Sequence, residues 1–460
     1  MTLIKSISGI RGTIGGELGD SLTPLDIVIF TTSYAFFIKK QKLSSNTIII
    51  GRDARKSGLM VSNIVSGTLI GCGFDVIDVG LSTTPTIEMA VIRENAAGGI
   101  IITASHNPIE WNALKLLNSL GEFLSENDGK KILSIAEGQQ FNYSKVDSLG
   151  SYIFDDSHNL KHLDDILKLD LVNVNLIRKS KFKVVVDAVN SSGGFMVPLL
   201  LEKLGVKCIK LYCDPNGNFP HNPEPLAEHL HDISKLVCSE KADFGIVVDP
   251  DVDRLAIVCE DGSMFGEEYS LVSIADYVLS HEKGNTVSNL SSSRALKDVT
   301  AKYKGTYKPA AVGEVNVVEM MKKNDAIIGG EGNGGIIYPK LHYGRDALVG
   351  IALFLSQLAE RNLTVKELKE TLPAYFMSKN KLKLKPEIDI DKILLNLQMQ
   401  FEKEYSITII DGLKIDFKDG WVHLRKSNTE PIVRIYSEGV TKEKADIYSK
   451  MIINEIKSLL

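Results

Sequence analysis

Three aspartates on alternate residues, Asp249, Asp251 and Asp253, followed at once by Arg254, give the strongest metal signal in the sequence. They lie in DPDVDR, entered from the apolar run GIVV and left by LAIVC. Carboxylates on alternate residues of a turn can converge on one hard cation. Mg²⁺ suits such a set, because it takes oxygen ligands and keeps positions free for phosphate or water. A solvated acidic turn is the plain alternative. An EF-hand is excluded: Glu260 falls at the twelfth loop position, but Arg254 occupies the sixth, where that loop needs glycine, and the flanks read as strands.

A second candidate is Thr103-Ala-Ser105-His106-Asn107-Pro108, at the end of the apolar run GIII. A serine at a strand end, with His106 beside it, can present its hydroxyl to a cleft as a nucleophile or phosphate carrier. Taken alone, the segment equally suits a capped Asn-Pro turn, and no G-x-S-x-G elbow supports a hydrolase. Lys115, in WNALKLL, is a candidate cation for a phosphate. The loop GGEGNGG matches G-x-G-x-x-G from Gly330 to Gly335, yet the chain continues IIYPK, and Pro339 argues against the helix a dinucleotide site needs. Its better use is a close-fitting loop where Glu331 and Asn333 bond sugar hydroxyls and glycines let the backbone approach; a plain tight turn is the alternative. Arg425-Lys-Ser427-Asn428-Thr429-Glu-Pro-Ile-Val-Arg434 joins two arginines to small polar residues, a set that holds phosphate through guanidinium forks and backbone amides. An exposed basic turn is the alternative there. In the alternating run IVRIY, Arg434 shares a face with Ile432 and Tyr436. Arg11, in SGIRGTIGG, is one more cation beside glycines.

Elements that must position these residues come from an internal repeat. NTIIIGRDARKSG, a helix to about Gly71 and the strand FDVIDVG form one unit; FKVVVDAVNSSGG, a helix to Leu204 and VKCIKLY form the second; NTVSNLSSSRALKDVTAKYKG and TYKPAAVG form a fainter third. Each continues through a second helix, near 85–94, 229–241 and 314–323, into an apolar strand that ends at one of the motifs. Strands alternating with helices predict mixed or parallel sheets covered on both faces, with ligands gathered at the carboxyl ends of strands. From about Leu372 the pattern shifts to short strands and a helical tail, an α+β domain. The predicted architecture is α/β: three similar mixed-sheet domains, 1–152, 153–255 and 256–371, and a smaller α+β domain, 372–460, around a central cleft.

Composition narrows the classes further. The chain has 460 residues, 44% hydrophobic, with 53 Lys and Arg against 58 Asp and Glu and a net charge of −5. That length is too great for one ordinary core, and that charge argues against a general nucleic-acid or membrane-surface binder. Five scattered cysteines without a CxxC pair suggest neither disulfide framework nor zinc ribbon. With no signal-like leader, a soluble cytoplasmic protein is predicted.

TASHNP, DPDVDR, a glycine loop containing GE, and R-x-S-N-T-E-P, in this order, resemble the α-D-phosphohexomutases: phosphoglucomutases, phosphomannomutases and phosphoglucosamine mutases. The likeness covers essentially the whole chain, one motif per domain. It implies an enzyme that moves phosphate between O6 and O1 of a hexose phosphate through a phosphoserine and a hexose 1,6-bisphosphate, which also serves as activator. Ser105 would be the phosphoserine, and Mg²⁺ would be held by Asp249, Asp251, Asp253 and a phosphate oxygen on Ser105. Lys115 and Arg254 would assist transfer, with His106 and Arg11 as further catalytic candidates. Glu331 would grip the sugar, and Arg425, Ser427, Asn428 and Thr429 the non-reacting phosphate. Where several members end the sugar loop in histidine, this chain has Gly335, with His342 in KLHYGRDA the nearest substitute. Loops of this kind look like a branch assigned to phosphoglucosamine or phosphogluco/phosphomannomutases, and glucosamine 6-phosphate is the predicted substrate. A phosphosugar phosphatase or nucleotidyl transferase is the rival within enzymes, and a non-catalytic sugar-phosphate-binding protein the rival outside them.

Overall fold

The computed structural model describes residues 2–6, 9–383, 388–426 and 432–459. Its chain divides into two compact units, one of Met1–Ser270 with Gly334–Leu368, the other of Leu271–Asn333 with Lys369–Leu460. In the first unit a seven-stranded sheet runs in the order Ile4–Ser6, Gly9–Thr13, Trp111–Leu117, Gly98–Ile102, Thr47–Arg52, Asp75–Leu81, Tyr152–Phe154. The runs TIIIGR, apolar between Thr47 and Arg52, and GGIII become its parallel centre. Both faces are covered, as an unbroken apolar strand requires. Helices Pro24–Lys40 and Gly58–Gly71 bury Phe30, Tyr34, Val61 and Val65 on one side; Thr84–Arg93 buries Ile87, Ala90 and Val91 on the other.

A second sheet, Leu255–Cys259, Phe244–Val248, Lys183–Asp187, Lys207–Leu211, repeats the plan with four strands. Both sheets share one device. A buried parallel strand runs into a loop, and the chain returns as an antiparallel neighbour: Gly98–Ile102 returns as Trp111–Leu117, and Phe244–Val248 as Leu255–Cys259. The serine and aspartate motifs are these two loops, at strand carboxyl ends as predicted.

In the second unit, Tyr307–Ala310, Asn285–Asn289 and Ala326–Glu331 lie parallel. A five-stranded antiparallel sheet follows, in the order Phe376–Lys383, Ile432–Gly439, Gly420–Lys426, Leu413–Phe417, Ser406–Thr408. Val422, Leu424, Val433 and Ile435 form a core with helices Ile390–Phe401 and Lys442–Ser458 on one of its faces. The other face carries Lys414, His423, Arg425 and Arg434, by strict alternation. The architecture is thus α/β domains of mixed sheets with an α+β domain at the C-terminus. Among the described residues no helix is long and apolar enough to cross a membrane.

Candidate active site

Ser105 sits just past the strand Gly98–Ile102 with φ of +49°, a left-handed conformation that a non-glycine residue adopts only when its surroundings hold it there. Those surroundings are explicit. The Ser105 amide donates to Thr103 Oγ1 at 2.9 Å, and that hydroxyl donates to Asp53 Oδ2 at 2.6 Å. Asp53 also receives Arg55 Nε at 3.1 Å. The rest of the Arg55 guanidinium donates to the carbonyls of Ser105 (2.6 Å), Asn107 (2.6 Å), Pro108 (2.6 Å) and Trp111 (2.9 Å). All of its N–H groups are therefore used, and its planar fork fixes the whole serine loop. The loop aims Ser105 Oγ at Asp249 Oδ2, to which it donates at 2.8 Å.

The aspartate loop is equally constrained. Val252 is buried with φ of +64°, a rare state for a β-branched residue. Asp249 Oδ1 accepts from the amides of Asp253 (3.1 Å) and Arg254 (3.2 Å), closing the turn on itself. Thr84, at the start of its helix, braces the loop twice: its hydroxyl donates to Asp251 Oδ2 at 2.6 Å and its amide to the Asp251 carbonyl at 2.9 Å. Lys115 Nζ lies 2.7 Å from Asp251 Oδ2 and 3.8 Å from Asp253 Oδ2, and Arg345 donates to Asp253 Oδ2 at 2.7 Å.

Electrostatics follow from this crowding. Burial, with the charges of Asp253 and Asp251, pushes the Asp249 carboxyl well above the usual range. Burial would raise Asp251 too, but the charge and hydrogen bond of Lys115, with the Thr84 hydroxyl, hold it below that range. Lys115 keeps its proton in spite of burial because Asp251 and Asp253 face it. His106, whose Nδ1 is 3.4 Å from Ser105 Oγ, is pushed well down by burial and by Arg254, against the opposing pull of Asp251, so its ring is neutral near pH 7. Asp251 Oδ1 and Asp253 Oδ1 are buried and accept no hydrogen bond. Arg254 Nε is 3.9 Å from Asp253 Oδ1, an ion-pair distance that leaves the oxygen without a hydrogen bond; buried carboxylate oxygens in this state are costly unless a cation meets them closely. One ligand oxygen from each of Asp249, Asp251 and Asp253 lies within 4.8 Å of the others, a spread an octahedral ion with ligands at about 2.0–2.1 Å can draw together. The donor set fits a hard divalent cation.

In the second unit, Glu331 ends the strand Ala326–Glu331 and is buried; its Oε1 accepts from Asn289 Nδ2 at 2.8 Å and the Gly313 amide at 3.0 Å. One residue back, the Val312 amide donates to Asp411 Oδ2 at 2.9 Å, and the same oxygen is 2.8 Å from Arg425 Nε. A single turn, Val312-Gly313, thus couples Glu331 to Arg425. Arg425 stands directly opposite Arg434, and Arg434 opposite Lys381. Three cations in one cross-strand row repel one another and favour an anion beside them.

The fold therefore gathers Ser105, His106, Lys115, Asp249, Asp251, Asp253 and Arg254 in one unit, with Arg11, opposite Ala113, on the same sheet face as Lys115. Glu331, Asn333, Arg425 and Arg434 belong to the other unit. Ser427, Asn428 and Thr429 lie outside the described residues. Gly334 must be glycine: its φ is +87°, and a Cβ there would meet the Leu255 carbonyl at 2.4 Å. His342, the nearest substitute for a loop histidine, is buried against Glu88, His162 and Asp346 and is not an open acid or base. Arg55, Thr84 and Arg345 are the contributors that motif reading passed over. Asp53, at the end of TIIIGR as Asp249 is at the end of FGIVV, was the available signal for the first.

Comparison with known proteins gives the same picture. The phosphoglucomutase/phosphomannomutase alpha/beta/alpha domains I, II and III match residues 3–143, 161–262 and 267–376, and the C-terminal domain of that family matches 362–455. A phosphoglucomutase/phosphomannomutase of Thermococcus kodakarensis is 34% identical over 98% of both chains. A probable phosphoglucosamine mutase of Methanopyrus kandleri is 31% identical over 95% of this chain and 94% of its own, and a phosphoglucosamine/phosphogalactosamine mutase of Sulfurisphaera tokodaii is 30% identical over 98% of both. In fold, a phosphoglucomutase/phosphomannomutase family protein from Burkholderia thailandensis superposes with a TM-score of 0.85 at 24% identity, covering 99% of this chain and 98% of that one. Motif order, loop geometry and these relatives together place the chain in the α-D-phosphohexomutase family, the phosphoglucomutase/phosphomannomutase enzymes, which are isomerases acting by phosphotransfer.

Proposed function

We propose that this enzyme interconverts the 6- and 1-phosphates of glucosamine, with Ser105 as the group that lends and recovers the phosphoryl. The observation that carries the reading is the Ser105 hydroxyl held 2.8 Å from Asp249 beside two buried carboxylate oxygens that accept no hydrogen bond. Mg²⁺ held by Asp249, Asp251 and Asp253 would supply positive charge to the phosphoryl oxygens. The protein's own residues do the rest. Phosphorylated Ser105 gives its phosphoryl to a sugar hydroxyl, the P–Oγ bond breaking as the bond to the sugar oxygen forms. The hydroxyl's proton leaves and Oγ regains one, and neutral His106, 3.4 Å away, is placed to pass it. The resulting 1,6-bisphosphate turns over and returns its other phosphate to Ser105. Lys115 and Arg254 meet the charge on the transferring group, Arg11 adds a cation on the face of Lys115, and Arg345 steadies Asp253. Glu331 and Asn333 are assigned to the sugar hydroxyls; Arg425 and Arg434, with Ser427, Asn428 and Thr429, to the phosphate that does not react. Positioning and charge stabilisation are what phosphoryl transfer needs.

Glucosamine is favoured because several relatives at about this similarity are named probable phosphoglucosamine mutases. Glucose and mannose phosphates form the second reading, supported by the name of the Thermococcus relative. The domain limits 1–152, 153–255, 256–371 and 372–460 and a cytoplasmic location, which suits five free thiols, belong to the same proposal. Rates on glucosamine, glucose and mannose 6-phosphates, each with trace bisphosphate, test it. Glucosamine 6-phosphate should show the highest kcat/KM, and Ser105→Ala should cost on the order of 10³-fold or more on every sugar. A serine-free variant with undiminished turnover overturns the mechanism; a preference for glucose or mannose overturns only the substrate.

A further inference from the structure

Away from the aspartate loop, a second cluster of ligand-type side chains lies buried in the same unit. His162, on the helix Ser157–Leu167, and Asp346, the N-cap of the helix Ala347–Arg361, are fully buried, and His342 is 5% exposed. Asp346 Oδ1 is taken up by the helix, accepting from the amides of Leu348 (2.8 Å) and Val349 (3.3 Å). Its Oδ2 faces both imidazoles, 3.0 Å from His162 Nε2 and 3.4 Å from His342 Nε2. His342 Nε2 nevertheless makes no hydrogen bond of acceptable geometry. The rings stand at 90° with centroids 6.3 Å apart, so they converge on the carboxylate from two directions.

On the far sides of the rings one nitrogen is hydrogen-bonded and the other faces a carboxylate at ion-pair distance. His162 Nδ1 is 2.8 Å from Thr86 Oγ1, and His342 Nδ1 is 3.5 Å from Glu88 Oε2, both residues on the helix Thr84–Arg93. This is the usual build of a metal-bound histidine: one nitrogen toward the ion, the other held by a carboxylate or hydroxyl that fixes the ring. Tetrahedral zinc with ligands at about 2.0–2.1 Å sets them roughly 3.3 Å apart, close to the two nitrogen–carboxylate separations, and all three ligand atoms lie within 4.8 Å of one another. Two imidazoles and one carboxylate select zinc over magnesium, in contrast to the all-oxygen aspartate loop. A dication would also neutralise the two carboxylates, Asp346 and Glu88, that burial brings together.

We propose that His162, His342 and Asp346 bind one zinc-type transition-metal ion, backed by Glu88 and Thr86, in a structural site separate from the aspartate loop. Thr84, which braces Asp251, opens the helix that carries Thr86 and Glu88, and Arg345, which braces Asp253, adjoins Asp346. The ion would tie His162 to the segment 342–346 and, through Thr86 and Glu88, to the helix whose Thr84 braces Asp251. Nothing in this depends on which sugar the enzyme uses.

The test is metal content and spectroscopy of the full-length protein. Stripped protein titrated with cobalt(II) alone should develop the visible absorption of a tetrahedral site at one equivalent, and zinc(II) should displace it while excess Mg²⁺ does not. Zinc should raise the thermal midpoint with the logarithm of its concentration over Kd. Glu88→Gln, which leaves the three ligands in place, should weaken zinc about 10–100-fold; His342→Gln should abolish the cobalt spectrum; Asp249→Asn should leave it unchanged. Absence of stoichiometric cobalt or zinc uptake by the wild-type protein overturns the proposal and leaves a purely proton-bridged cluster. Uptake unchanged in His342→Gln, or lost in Asp249→Asn, overturns it as well.

Discussion

Lys115 shows how single contacts set the chemistry of this site. Its ammonium satisfies Asp251 and approaches Asp253, so it both neutralises the carboxylates and competes with any cation for them. Lys115→Met should therefore have opposite effects on two quantities. The half-saturating Mg²⁺ concentration should fall, because three buried carboxylates lose a compensating charge, while the role proposed for Lys115 beside the transferring group predicts that kcat drops on the order of 10²-fold. A Mg²⁺ titration of turnover reads both. Arg55 illustrates what residue types alone conceal. In GRDARKSG it reads as one of several loop cations, and the carbonyls it binds lie some fifty positions further along the chain. The placement of Ser105 and the aspartates in loops at strand ends was legible because each motif closes an apolar run. Arg55, Thr84 and Arg345 act through partners that only folding supplies.

At the scale of elements, periodicity was a good guide wherever a strand was buried on both sides, since uninterrupted apolar runs such as GGIII and FGIVV have no other home. The repeated strand-helix-strand unit then put each motif at a strand end. Less legible were the helices Ser157–Leu167 and Val174–Ser180, whose short, polar turns give little contrast with loop; the first carries His162. In the C-terminal sheet, alternation along Gly420–Lys426 buries His423 on the face away from the apolar core. Its Nδ1 lies 3.0 Å from Ser291 Oγ, and its Nε2 donates to the Asp411 carbonyl at 2.6 Å. Burial pushes its pKa down to about 4 from an ordinary 6.5. The unfolded chain therefore binds the proton more tightly, and stability falls as pH drops through that interval. The loss should total about 3 kcal/mol between pH 6.5 and 4. Urea unfolding followed through Trp421, also in this strand, should show it, and His423→Gln should flatten that part of the profile.

For the whole molecule, the notable fact is that the chain does not divide at successive positions. Leu271–Asn333 groups with Lys369–Leu460, although 35 residues of the other unit, Gly334–Leu368, separate them in sequence. The bonds within that unit are polar and buried: Lys414 Nζ donates to the Leu290 carbonyl, and Glu438 receives both the Arg294 amide and Trp421 Nε1. Native-state hydrogen exchange should find Asn285–Asn289 and Ala326–Glu331 opening together with Gly420–Lys426 and Ile432–Gly439, and independently of Gly98–Ile102 and Phe244–Val248. Identical opening energies for all six strands would contradict the grouping. Repeats in the sequence point to three like domains and a fourth, and cannot show which of them cohere, because that depends on side chains such as Arg294 and Lys414 meeting across the fold.

The row of Lys381, Arg434 and Arg425 has a practical corollary for anyone handling the enzyme. Even with Asp411 against Arg425, guanidinium and ammonium groups crowded in one row will draw further anions from solution, so sulfate or inorganic phosphate in a storage buffer should steady the C-terminal sheet and, on the phosphate role proposed for Arg425 and Arg434, inhibit turnover competitively. Midpoints measured in phosphate and rates measured in Tris would then describe two differently loaded forms of one protein, and only chloride-based media of matched ionic strength would let the two sets of numbers be compared.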